Sequence, residues 1–113
     1  MQMVIFAGSV KLIVYNVIMA THSLITVGTT TSVRITPIGQ THSGIDITIQ
    51  NVNDTGYIYI GTNENVSSTD YGYRLMPNHA WSIELNGQDH LYAIASLADM
   101  NVAIMKARLE SGF

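Results

Sequence analysis

Cysteine is absent from this chain, which excludes a disulfide framework and thiolate chemistry and leaves burial or assembly to stabilise the fold. Charge is scarce as well. Asp, Glu, Lys and Arg make up 12% of the residues, about half the usual share for a globular domain. The basic residues Lys11, Arg34, Arg74, Lys106 and Arg108 are scattered apart from the last two, and the net charge is −3. Such a chain carries no electrostatic footprint for nucleic acid. Its most apolar stretch, Met3 to Ala20, is interrupted by Gly8-Ser9, Lys11 and Asn16, so it lacks the roughly 20 uninterrupted apolar residues of a membrane span. A signal peptide would need positive charge ahead of the apolar run, and here Lys11 lies inside it.

Reactive constellations are missing too. There is no Gly-x-Ser-x-Gly elbow and no glycine-rich phosphate loop ahead of a helix. His22, His42, His79 and His90 do not stand at ligand spacing. Glu64, Asp70 and Asp54 are candidates to meet at one loop end, yet they lack the regular oxygen spacing of a calcium loop. Asp46 and Glu84 fall on outward-facing positions of strands, where solvation is the default. The expectation is a protein that is not an enzyme, with no metal and no cofactor.

What is present is β pattern. Ile45 to Gly61 alternates apolar and polar residues, stops at Asn53-Asp54-Thr55-Gly56, and alternates again. That spacing predicts a strand, a turn and a returning strand, with Val52 facing Tyr57, Asn51 facing Ile58 and Ile49 facing Ile60. Ile45, Ile47, Ile49, Ile58 and Ile60 then share a core face, and a one-residue slip would turn them all to water. Further short strands are predicted over Ser23 to Val27, Ser32 to Ile38, Tyr73 to Met76, Ala80 to Leu85, His90 to Leu97 and Val102 to Leu109. Turn signals separate them at Gly28 to Thr31, Pro37 and Gly39, Pro77-Asn78 and Asp99 to Asn101. Asn86-Gly87 reads as a two-residue hairpin in which both residues take positive φ. No helix longer than a turn or two is expected.

A chain of 113 residues is one domain in length. Around eight strands with turn signals every ~8 to 12 residues indicate an all-β, antiparallel β-sandwich of jelly-roll type, with a small barrel as the competitor. The sandwich is assigned to residues 21–113 and residues 1–20 to an apolar, extended N-terminal arm or added strand. Val4, Phe6, Leu12, Val14 and Val17 are its candidate interface residues, the arm packing on a neighbouring subunit; an ordinary buried first strand is the other reading.

The 62–72 connection loses periodicity, which in a compact domain marks a functional or interface-forming loop. Tyr57, Tyr59, Tyr71 and Tyr73 complete the candidate interface set, because Tyr57 and Tyr59 point away from the isoleucine face. Such aromatics, with Trp81, anchor a protein interface, stack on sugars, or are simply covered by a second layer. The strand from His90 to Leu97 is apolar on both faces, as for a strand covered on both sides. Low surface charge and that strand together predict a homo-oligomer, with a trimer favoured.

Several segments also resemble small tailed-bacteriophage virion proteins. The run Gly44-Ile45-Asp46-Ile47-Thr48-Ile49-Gln50-Asn51-Val52 and then Tyr57-Ile58-Tyr59-Ile60-Gly61 is similar to their "I-T-I-Q-N" strand followed by "V-Y-I-G-G". Gly72-Tyr73-Arg74-Leu75-Met76-Pro77-Asn78 and Asp89-His90-Leu91-Tyr92-Ala93-Ile94-Ala95-Ser96 match later elements in the same order. The likeness runs from Thr21 to Leu109 and departs at Asn78, where glycine is usual. It implies a structural β-sandwich on the capsid surface of a virion, a decoration or cement protein that binds and stabilises the major capsid protein shell. The alternative it leaves is a head- or tail-fibre module binding a host receptor or glycan. It implies no catalytic residues, and the scattered basic residues and interrupted apolar run noted above give the expectation of neither nucleic acid nor membrane as a partner.

Overall fold

The structure, a computed structural model, describes residues 2–4, 13–15, 20–36 and 44–108. Among these residues every helix or strand is a strand. β1 (Gln2–Val4) and β2 (Ile13–Tyr15) pair antiparallel with each other as a separate two-stranded sheet. The remaining eight are β3 (Ala20–Val27), β4 (Val33–Arg34), β5 (Ile45–Asn51), β6 (Ile58–Gly61), β7 (Tyr73–Leu75), β8 (Ala80–Leu85), β9 (Tyr92–Ala95) and β10 (Met100–Arg108).

These eight pair as nested brackets. β3 pairs with β10, β4 with β9, β5 with β8 and β6 with β7, all antiparallel. The chain is thus one long hairpin whose tip is the 62–72 connection, folded over on itself. Two further antiparallel pairs, β10 with β5 and β9 with β6, seal it into sheets ordered β3-β10-β5-β8 and β4-β9-β6-β7. That is the double-sheet arrangement of a jelly roll. The expected all-β sandwich is therefore what the chain adopts.

The core lies between the sheets. β5 alternates strictly, with Ile45, Ile47, Ile49 and Asn51 buried and Asp46 and Gln50 exposed. Across β5, Ile49 stands opposite Ile104 and Trp81, and Ile47 opposite Lys106 and Ile83. The second sheet contributes Ile58, Ile60, Leu75, Ala93 and Ala95 to the same cluster. Each fully buried isoleucine contributes about 1.5–3 kcal/mol of transfer free energy.

The five isoleucines share one core, as their spacing predicts, but the expected 45–61 hairpin does not form. β5 and β6 belong to opposite sheets, so Ile49 pairs with Ile104 and Trp81, and Ile60 with Tyr73 and Ala93. The isoleucines meet face to face across the core instead of side by side. Residues 52–57 are an arch over the edge of the sandwich, held by Asn51. This side chain is fully buried, donates from Nδ2 to the carbonyls of Gly56 (3.1 Å) and Leu75 (3.1 Å), and accepts from Asn53 Nδ2 (2.7 Å). Gly56, at φ 89, supplies the left-handed residue that the arch needs.

Asn86-Gly87 is corrected in the same way. β8 and β9 lie in different sheets. Neither Asn86 nor Gly87 takes a positive φ, and the turn closes by Asp89 N–H donating to Asn86 O at 3.2 Å. The Met76–His79 turn behaves as expected: His79 N–H donates to Met76 O at 3.1 Å, and Asn78 sits at φ 62. This is the type II geometry that Pro77 at the second position and a left-handed third residue produce. Asn78 is among the non-glycine residues that tolerate this left-handed conformation. Strand bounds also move: β3 starts at Ala20, β4 is two residues long, and β9 is Tyr92–Ala95. The Pro37-to-Ser43 loop signals, Leu109 and the carboxyl-terminal tail lie outside the described residues.

Candidate assembly surfaces

The outer face of the second sheet carries the tyrosines. Tyr59 pairs across the strands with Ile94 and Arg74 and points away from the core. It is nevertheless only 8% exposed, because the 62–72 connection folds back over it. Val66 from that connection joins Tyr59 and Ile94 in a small second cluster, with Tyr57 and Tyr92 packed against it. The fold-back depends on Gly61, where a Cβ would stand 2.7 Å from Val66 Cγ2. The ring of Tyr71 lies 4.9 Å from that of Tyr59, and the Arg74 guanidinium sits 5.0 Å above Tyr57. The two-sided apolar character of β9 thus has an internal cause, since its outer face is covered by the chain's own connection.

Tyr73 is elsewhere. It lies on β7 opposite Ile60, facing inward, and stacks on Trp81 of β8 with centroids 4.9 Å apart. This stack closes the side of the sandwich between the edge strands of the two sheets. The predicted tyrosine set therefore divides. Tyr57, Tyr59 and Tyr71 form a cluster with Arg74, Tyr73 seals the core's edge, and Tyr71 and Tyr73 keep substantial exposed surface. Of the expected arm residues, Val4 falls on β1 beside Ile13 of β2, and Val14 on β2 beside Met3. Phe6, Leu12 and Val17 lie outside the described residues.

The surface that sequence reasoning missed is the outer face of the first sheet. Here the rows run His22–Met105–Thr48–Ser82 and Leu24–Ala103–Gln50–Ala80. Leu24 is 66% exposed and Met105 56%. The small Ala103 between Leu24 and Gln50 leaves a hollow of about 390 Å³ walled by these rows, and none of the lining residues is acidic or basic apart from His22. A signal was available. Leu24 is out of phase with Ile25 and Val27 on its strand, and Met105 with Val102 and Ile104, so each strand puts one large apolar residue on its wet side.

Polar groups serve the fold. Arg34 Nη2 lies 2.9 Å from each ring nitrogen of His90, and Thr36 Oγ1 lies 2.9 Å from Nδ1 while accepting from Leu91 N–H at 3.3 Å. Asp46 and Glu84 stand directly opposite each other on the exposed face of β5 and β8. Glu64, Asp70 and Asp54 are not brought together, and no metal-capable cluster of His, Asp or Glu occurs among the described residues. Lys106 turns inward beside Ile47, and burial pushes its ammonium pKa below the usual lysine value.

No protein-family model matches this sequence, and no curated protein matches it significantly. The fold is shared with a solved chain from Bacillus endospore appendages, described as a novel family of disulfide-linked pili. That likeness has a TM-score of 0.54 at 12% identity and covers 81% of this chain and 86% of the other.

Proposed function

We propose that this chain is a structural assembly protein, a β-sandwich that decorates and stabilises a virion shell by binding its major capsid protein. The observation that carries the reading is the hollow on the outer face of the first sheet, whose lining holds no acidic or basic residue apart from His22. Leu24 and Met105 stand open there at 66% and 56% exposure, beside an amino-terminal segment that is itself rich in large apolar residues. Apolar area costs about 25 cal/mol per Å² when left in water, so an assembly that covers both is favoured. The resemblance of Gly44 to Val52, Tyr57 to Gly61 and Asp89 to Ser96 to small virion proteins supplies the shell as the surface. The test is copy number together with binding. A quantitative protein gel of purified particles should show hundreds of copies, and the isolated protein should co-sediment with undecorated shells. Absence from particles, or failure to sediment with shells, overturns the reading.

A fibre or appendage subunit is the second reading, favoured by the exposed Tyr71 and Tyr73 and by a fold shared with an appendage protein. Any such filament would be held without disulfides, since the chain has no cysteine. A dozen or fewer copies per particle, or filaments of the isolated protein in electron micrographs, distinguishes it from decoration.

A further inference from the structure

The hollow on the outer face of the first sheet is open within the single chain. Among the described residues nothing covers Leu24 or Met105, which are 66% and 56% exposed. The same chain holds an apolar segment in need of cover: Val4, Ile5, Phe6, Val10, Leu12 and Ile13 among others precede the sandwich. The described parts of that segment, β1 and β2, hydrogen-bond to each other and to no strand of the sandwich. It joins the body at Ala20, the first residue of β3, which is the edge strand bordering the hollow. Only residues 16–19 separate β2 from β3. Both surfaces lack strong charge, apart from the single Lys11, so no repulsion opposes their meeting.

We infer that the hollow formed by His22, Leu24, Ala103 and Met105 is the docking site for the amino-terminal segment of a second copy of this chain. The contact is heterologous, with the segment of one copy seated in the groove of the next. Copies therefore close into a ring where the rotation allows, and otherwise continue as a filament. With β1 and β2 folded back on each other, the segment reaches about half of the roughly 60 Å that 18 extended residues would span, or ~30 Å, on the order of the distance between neighbouring domains of this size. The inference deepens the assembly reading and rests on it, but its test needs no shell, so its failure is distinct from a failure to bind shells.

The experiment is complementation between two full-length variants at about 10 µM, read by sedimentation velocity. One carries Phe6→Asp and Leu12→Asp, damaging the segment. The other carries Leu24→Asp and Met105→Asp, damaging the groove at exposed positions; Leu24→Gln with Met105→Gln is the milder substitute if melting shows a folding defect. The wild-type chain should associate, and each variant alone should be monomeric, its association weakened at least about 100-fold by an unpaired carboxylate in an apolar contact. A 1:1 mixture should form heterodimers, since one chain keeps an intact groove and the other an intact segment. A monomeric wild type, either variant associating as the wild type does, or a mixture that stays monomeric overturns the inference.

Discussion

Asn51→Ala removes the hub of the arch between the two sheets, and its cost follows from the bonds that the amide makes. Asn51 is 0% exposed. Its loss leaves Leu75 O without the 3.1 Å donor in a buried setting and Gly56 O without the 3.1 Å donor in a partly buried one. It also frees Asn53 Nδ2 from a 2.7 Å bond, although that group keeps Asn101 O at 2.8 Å. A buried acceptor left unpaired costs about 1–3 kcal/mol, with Leu75 O toward the upper end and Gly56 O toward the lower. The expected total is about 3–5 kcal/mol, a large part of the ~5–15 kcal/mol that holds a domain of this size. The assay is urea unfolding followed by the fluorescence of Trp81, the only tryptophan, with a midpoint lower by roughly 2–3 M. Asn51→Asp sharpens the test. An ionised carboxylate would face two carbonyl oxygens with nothing to donate, so its pKa must rise in the folded state. The variant should then be more stable near pH 4 than at pH 7, the added stability being lost as pH rises through the window from about 3.9 upward. A loss below about 1 kcal/mol for Asn51→Ala, or no acid recovery for Asn51→Asp, refutes the account of the arch.

Gly61→Ala should cost about 1–3 kcal/mol, because the new methyl meets Val66 Cγ2 at 2.7 Å and its Cβ at 2.8 Å. Faster proteolysis within 62–72 would report it, and Val66→Ala in the same chain should not restore the loss, because alanine keeps the Cβ that the new methyl meets at 2.8 Å. Asn78→Gly should change stability by no more than about 0.5 kcal/mol, whereas Asn78→Val at φ 62 should cost about 1–2 kcal/mol, both measured by thermal melting. Burial lowers the Lys106 pKa below 10.5, so the unfolded chain keeps a proton that the folded chain has released in the window just beneath that value. Stability carried by this group therefore climbs with pH through the window. Lys106→Met should raise the melting temperature at pH 7 by about 1–3 °C, and its advantage should shrink toward pH 10.5.

Faces were legible in the sequence and partners were not. Alternation in Ile45 to Asn51 and in Trp81 to Leu85 identifies the inward residues, since side chains alternate across any strand whatever it pairs with. The same alternation is silent on which strand lies alongside. Asn53-Asp54-Thr55-Gly56 and Asn86-Gly87 are turn chemistry, and turn chemistry suits an arch between sheets as well as a hairpin within one. The true hairpin, β6 with β7, was hidden because its loop is the aperiodic 62–72 stretch. Tyr59 is a related case: its parity is outward, as its spacing predicts, and Gly61 lets Val66 close over it, the covered arrangement among the three that the sequence left open. Leu24 and Met105 were overlooked because each is the one large apolar residue on the wet side of its strand; only the β3–β10 register, which places Leu24 beside Ala103 and His22 beside Met105, makes them one surface.

That register also ties the groove to completion of the fold. The groove draws on β3, β5 and β10, and its walls are separated in sequence by most of the sandwich: His22 pairs with Met105 and Leu24 with Ala103. In a nested hairpin the inner pairs, β6–β7 and β5–β8, join segments nearer in sequence, and each closed pair shortens the loop that the next must close. β3 and β10 are the outermost pair, so closing the inner brackets first lowers the loop-closure cost of their register, and with it of the hollow. If the groove takes the segment of a second copy, as inferred above, a partly folded copy would offer a segment but no groove, and it would cap an assembly without extending it.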